Sequence, residues 1–253
     1  MPATATPLRI VQITDLHLKT EPGSLLWGAD VDAGLNAVLA HVRRRNPAPD
    51  LVLATGDLVG DEPLAYHRLR GLLETLGLPV YCLPGNHDFP AAMAQALRGG
   101  RVRRERYLAS GNWQLVLLDS SCPGSPVGHL ARGELGLLDT ALATRPDLHT
   151  LVCLHHNPSP VGTAWLDTMT VTNGEALFAI LERHPRVRAV TCGHIHGEYA
   201  GRRGAIQLLA TPATSVQFKP NTPDPQVDNL PPGYRWFELY PDGTLQTGVE
   251  RVG

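Results

Sequence analysis

Seven short runs rich in Val, Ile and Leu punctuate the chain, at residues 8–14, 51–55, 80–83, 114–118, 150–154, 187–192 and 206–210. Near-continuous apolar runs of four to seven residues are too short for helices and suit strands covered on both faces. Between them the apolar residues return at helical spacing, as in Val31, Leu35, Val38, Leu39 and Val42, or Leu69, Leu72, Leu73 and Leu76. Leu135, Leu138 and Leu142, then Leu177, Ile180 and Leu181, repeat the pattern. Strand and helix therefore alternate, which predicts an α/β architecture. Residues 234–240 and 244–252 flank Pro241, Asp242 and Gly243, a hairpin signature, so a C-terminal β-hairpin is expected. The proline-rich stretch 219–233 reads as a loop, and too little chain follows it for a second domain. Residues 1–253 are read as one domain.

With 253 residues and 43% hydrophobic content, a substantial core is expected. The formal charge of −2, with no long basic block, gives no electrostatic case for binding nucleic acid or an anionic membrane. No segment approaches the roughly 18 apolar residues of a membrane span. Residues 1–7 carry no cationic stretch ahead of a long apolar one, and Asp15 interrupts the first apolar run. A secretory leader is not expected, and a cytoplasmic protein is. Cys82, Cys122, Cys153 and Cys192 lack any CxxC spacing and read as buried thiols.

Five polar clusters close these runs: Asp15 with His17, Gly56 with Asp57, residues 85–88 (GNHD), His155 with His156, and residues 193–196 (GHIH). In open α/β sheets, ligands gather beyond the carboxyl ends of the strands, and each cluster sits at such an end. Imidazole, carboxylate and amide oxygen together suit Mn, Fe, Zn, Co or Ni. Two cations about 3.5–4 Å apart need a short anionic bridge. Asp57 is the choice, with Gly56 letting the backbone turn close beneath. On a phosphate ester, such a pair would lower the pKa of a bridging water, set its line of attack and neutralise charge on the equatorial oxygens. His87, next to Asn86, is the candidate proton donor to the leaving oxygen, with Asp88 orienting its ring. His155 and His156 compete for one place, because neighbours in an extended segment point to opposite faces. His41, His67, His129, His149 and His184 are read as structural, and the four arginines of residues 101–106 as a solvated loop. Trp165 is left between covering a nucleoside and filling a core. Gln217, Phe218 and Lys219 are placed at the same sheet edge, without an assigned substrate contact.

Taken in order, the blocks DxH, GD, GNH followed by an acid, a lone His, and GHxH resemble those of the calcineurin-like metallophosphoesterases, from Asp15 to His196. The stretch 154–219, with HHNP, WLD at 165–167 and ATPATSVQFKP ending at Pro220, is similar to that of bacterial 3′,5′-cyclic AMP phosphodiesterases of the CpdA type. The resemblance implies a four-layer α-β-β-α sandwich. It implies one metal on Asp15, His17, Asp57 and His196, and another on Asp57, Asn86, His155 and His194. Two divalent ions are expected, iron or manganese first, with Zn, Co, Ni or Mg as alternatives. The substrate phosphate would meet His17, Asp57, Asn86, His87 and His196, with His87 and Asp57 catalytic. The implied reaction is hydrolysis of a small-molecule nucleotide, 3′,5′-cyclic AMP, to 5′-AMP by in-line attack of a metal-bridging hydroxide. The runner-up is a broader phosphoesterase acting on phosphomonoesters, 2′,3′-cyclic nucleotides or nucleotide diphosphates. Where such relatives can carry HHHP, this chain has Asn157 in place of the third imidazole. A scaffold that has lost catalysis is disfavoured, since every expected ligand and His87 are retained.

Overall fold

Side-chain alternation along the strands decides the architecture of the computed structural model, which describes residues 6–253. In the strand Leu51–Thr55, Leu51 and Leu53 face one way while Val52 and Ala54 face the other. His149–Cys153 does the same, with Leu151 and Cys153 on one face and Val152 on the other. Both faces are buried because each sheet packs on its partner sheet on one side and on helices on the other, as near-continuous apolar runs require.

The first sheet runs, across its width, Leu245–Arg251, Gly233–Leu239, Leu8–Ile13, Leu51–Thr55, Val80–Leu83 and Val102–Arg103. Its last four strands are parallel, and the C-terminal hairpin joins antiparallel at Leu8–Ile13. The second sheet runs Tyr199–Arg203, Ile206–Ala210, Val187–Cys192, His149–Cys153, Trp113–Leu117 and Tyr107–Ser110, with the four inner strands parallel and both edges antiparallel. Helices Val31–Arg44, Ala65–Glu74 and Pro90–Ala96 cover the first sheet, and Arg132–Thr144 and Gly174–Leu181 cover the second. Ile10, Leu53, Trp113, Leu115, Leu151 and Phe237 belong to the apolar layer between the sheets. The result is the expected α-β-β-α sandwich. Removing one such side chain, as in Leu53→Ala, destabilises by about 2–5 kcal/mol.

A polar clasp crosses that apolar layer at the end where the clusters lie. Buried Gln12 donates from Nε2 to Thr55 Oγ1 (2.8 Å) in its own sheet and to the Cys192 carbonyl (3.2 Å) in the other. Thr191 Oγ1 donates back to Gln12 Oε1 at 2.6 Å. Every side-chain polar atom of Gln12 is thereby satisfied, which is the condition for a buried amide to be tolerated.

All seven apolar runs form strands, with ends shifted by at most one residue. The structure corrects the reading of 219–233 as loop throughout, because Val227–Asp228 pairs antiparallel with Gln217–Phe218. It also corrects the solvated loop at 101–106. Val102–Arg103 is an edge strand, and Arg106 is ion-paired to Glu134. The four cysteines are free thiols; all but Cys122 are buried. Among the described residues no helix is long and apolar enough to cross a membrane. Of the N-terminal stretch used to argue against a leader, residues 1–5 lie outside the described residues.

Candidate metal centre

The polar clusters meet where the parallel strands of both sheets end. Asp15 and His17 follow Leu8–Ile13, Asp57 follows Leu51–Thr55, and Asn86 follows Val80–Leu83. His155 follows His149–Cys153, and His194 and His196 follow Val187–Cys192. Asp15, His17, Asp57, His194 and His196 all have φ between +47° and +67°. Left-handed backbone at a non-glycine residue carries strain, and such residues gather at functional sites. Here the surrounding bonds fix it. Asp15 N–H donates to Gly56 O (3.0 Å), His17 N–H to Asp57 O (2.8 Å), and Ser215 Oγ to Asp15 O (2.6 Å). His194 N–H donates to the Asp15 carboxylate at 3.0–3.1 Å.

Two backbone carbonyls set the imidazole tautomers. His155 Nδ1–H donates to Thr55 O (2.9 Å) and His196 Nδ1–H to Val216 O (2.8 Å), which turns Nε2 of each ring inward. His155 Nε2 lies 3.2 Å from both Asp57 Oδ2 and Asn86 Oδ1. His196 Nε2 faces His17 Nε2 at 3.2 Å and Asp15 Oδ1 at 3.4 Å. The donor atoms of Asp15, His17, Asp57 and His196 lie within 4.8 Å of one another, as do those of His155, His156 and His194. All seven of these residues are buried.

The electrostatics follow from that burial. Desolvation drives His17 and His194 well below the ordinary imidazole value, and His156 to about 3. Burial also raises the Asp15 carboxyl, against the pull of His196 and His155. For Asp57, burial works upward but His155 and His17 outweigh it and hold the carboxylate well below its usual range. Burial would depress His155, yet Asp57 and Asp15 lift it to about 9. A cation taking the His155 Nε2 lone pair would displace that proton.

The donor set fits divalent cations on structural grounds. Among the described residues, Nε2 of His194 and of His156 are buried without a hydrogen-bond partner, and the inward Nε2 atoms of His17 and His196 face each other. Buried polar atoms left this way are destabilising unless something binds them. Nitrogen and carboxylate donors, with no thiol among them, suit the borderline divalent metals. Gly85 shows how tightly the donors are drawn in: a Cβ there would lie 2.2 Å from Asp57 Oδ1 and 2.8 Å from His155 Nε2.

His87 stands at the open side, its ring edge-on to His17 with centroids 4.9 Å apart. Its backbone N–H donates to Asp57 Oδ1 (2.9 Å). The expectation that Asp88 orients the His87 ring is overturned. Asp61 accepts from Nδ1 at 2.9 Å, while Asp88 accepts from the N–H groups of Leu58, Val59 and Gly85 and from Tyr66 Oη. Asp88 therefore staples the GNHD loop to the loop after Asp57, with burial and Asp57 lifting its carboxyl to about 6. The expectation that His155 and His156 point to opposite faces is not met. Both residues lie in a bend past the strand, and both rings flank His194, with centroids 5.2 and 4.6 Å away. Ser120 Oγ sits 2.8 Å from His156 Nδ1. Sequence reasoning missed Asp61 and Ser120. An acid four residues beyond Asp57 on the same exit loop was the available signal for the first.

Of the flanking candidates, Gln217 is engaged at both ends, donating to Ala213 O (2.7 Å) and accepting from Arg251 (3.1 Å). Trp165 is half-buried and packs edge-on against Phe218.

A fold of two facing sheets with this cluster at their shared end defines a class. Residues 8–198 match the calcineurin-like phosphoesterase family, and the chain belongs to it. Over 252 residues it is 42% identical to the 3′,5′-cyclic adenosine monophosphate phosphodiesterase CpdA of Pseudomonas aeruginosa, spanning 99% of this chain and 92% of that protein. It is 38% identical over 247 residues to the 3′,5′-cyclic-nucleotide phosphodiesterase alr5338 of Nostoc sp., spanning 97% and 93%. A dimetal phosphatase from Danio rerio superposes with a TM-score of 0.67 at 13% identity, over 92% of this chain and 93% of that one, which shows a shared fold.

Proposed function

We propose that this chain hydrolyses 3′,5′-cyclic AMP to 5′-AMP as a cytoplasmic enzyme of one domain, using two divalent cations, iron or manganese by preference. Asp15, His17, Asp57 and His196 would hold one and Asp57, Asn86, His155 and His194 the other, with Asp57 between them. The observation that carries the reading is the convergence of these donors, all buried but the half-buried Asn86, with the imidazole Nε2 atoms turned toward one another and toward the carboxylates. The near full-length likeness to cyclic-nucleotide phosphodiesterases supports the substrate.

When bound, the cations supply acidified water and positive charge for the phosphoryl oxygens. The side chains do the rest. Carbonyl groups of Thr55 and Val216 keep His155 and His196 in the tautomer that presents Nε2. Asp61 holds Nδ1–H of His87, so that Nε2–H is directed at the departing oxygen. A water that has given up one proton to solvent bonds through its oxygen to phosphorus opposite the 3′ oxygen, the P–O3′ bond breaks, the His87 proton passes to the 3′ oxygen, and His87 takes a proton back from solvent. The 5′ ester stays intact.

Side-by-side kcat/KM values for 3′,5′-cyclic AMP, 2′,3′-cyclic AMP and p-nitrophenyl phosphate test the substrate, with 3′,5′-cyclic AMP expected to lead. A preference for p-nitrophenyl phosphate would defeat the assignment in favour of a broader phosphoesterase. Metal analysis after metal-replete purification should give two ions per chain, and fewer than one would refute the centre.

A further inference from the structure

Trp27 occupies the tip of the hairpin formed by Leu25–Leu26 and Ala29–Asp30, with φ +49° and 59% of its surface exposed. An exposed tryptophan held in left-handed backbone is doubly unfavourable for stability alone. Its position suggests the reason. The indole meets Phe218 edge-to-face, centroids 5.8 Å apart, and Phe218 in turn tilts against the His196 ring at 4.8 Å. Phe218 N–H donates to His196 O (3.2 Å), so this ring is fixed to the GHIH loop itself. Trp165 backs Phe218 from another side at 5.3 Å. An aromatic path thus leads from solvent to the candidate metal centre. Beside it, a cavity of about 220 Å³ opens between His196, Phe218, Thr163 and Leu230.

Resting on the nucleotide reading above, we infer that Trp27 and Phe218 form the surface that receives the nucleobase while the phosphate lies at the metal centre. A heteroaromatic base offers a π-face to stack on such rings whatever its edge groups are, so this recognition is tolerant of base identity. The other exposed aromatic near the centre, Phe89, borders a cavity with Asn86 and His87. Phe89 occupies the N-cap position of the helix Pro90–Ala96 without a side-chain capping bond, and its N–H donates to Tyr66 Oη. Among the described residues it has no aromatic partner comparable to the Trp27–Phe218 pair.

The test is calorimetric binding of 5′-AMP and of ribose 5-phosphate to the metal-loaded protein, with metal content and melting temperature checked for every variant. The wild type should prefer 5′-AMP. Trp27→Ala should cut that preference about 5- to 150-fold, the range of one base–aromatic stack, and Trp27→Phe should restore part of it. Phe218→Leu should act in the same direction. An unchanged preference in Trp27→Ala, or its loss in Phe89→Ala instead, overturns the inference. Because binding is read without turnover, a wild type that fails to cleave 3′,5′-cyclic AMP yet keeps a Trp27-dependent preference would sink the substrate assignment and leave this surface standing.

Discussion

Gly56→Ala should damage stability and the candidate centre together, by an amount the structure lets one work out. Gly56 has φ +95°, a conformation an L-residue enters at about 1–2 kcal/mol. A Cβ there would also lie 2.4 Å from His155 Nδ1 and 2.6 Å from its Cγ. The ring has little freedom to retreat, because Nδ1–H is committed to Thr55 O on the residue just before Gly56. Overpacking of this kind costs about 1–3 kcal/mol more. The sum of about 2–5 kcal/mol, at roughly 2–4 °C per kcal/mol for a chain of this size, lowers Tm by about 4–20 °C. Thermal unfolding with metal analysis on the same samples measures both effects, and one bound ion should be lost. Gly71→Ala is the control: it lies on the exposed face of the helix Ala65–Glu74 with nothing within 4 Å of the new Cβ. That change should stabilise by up to about 1 kcal/mol. A Gly56→Ala protein that melts within about 2 °C of the wild type, less than one kcal/mol on this scale, and keeps both ions would refute the reasoning.

Other changes separate chemistry from scaffold. His87→Ala should leave metal content intact and lower kcat by roughly 10²–10⁴-fold on an ester with a poor leaving group; full rate there would remove His87 as proton donor. Asp61→Asn should cause a smaller loss, about 10-fold, since it orients the ring without touching the reacting atoms, and the pH–rate profile should shift with it. If Asp88→Asn shifted that profile and Asp61→Asn did not, the assignment of the partner would be reversed. Tyr66→Phe removes the donor to Asp88 (2.7 Å) and the acceptor of the Phe89 N–H (2.9 Å). Urea titration should show a loss of about 1–3 kcal/mol, and an unchanged midpoint would show that the staple contributes nothing.

The interior of the fold was legible because the inner parallel strands are buried on both faces and announce themselves as near-continuous apolar runs. Apart from the C-terminal hairpin, the edges were not. Tyr107–Ser110 is largely exposed, and Tyr199–Arg203 alternates half-buried with exposed residues, so neither needs an apolar pattern. For the candidate site, spacing located the strand-end residues, since a ligand at the end of a parallel strand needs only that strand to be found. Partners set by loop path were hidden. Asp88 is next to His87 in the chain, yet its carboxylate turns back to the loop after Asp57, and Asp61 reaches the ring from across it. His155 and His156 would diverge in a strand, but the bend after Cys153 brings both against His194. Trp27 gave no periodic signal at all, being a single residue on a short hairpin.

The Gln12 clasp ties the two sheets together at the end where the candidate centre lies. Four of the expected metal-binding side chains hang from one sheet and three from the other, so the candidate centre straddles a seam kept in register by apolar contact and by polar bonds such as the Gln12 clasp, His155 to Thr55 O and His194 N–H to Asp15. Sliding one slab past the other by a fraction of an ångström would leave every helix and strand whole and still pull the two halves of the coordination cage out of alignment. Activity should therefore fall under heat or pressure before the secondary structure collapses.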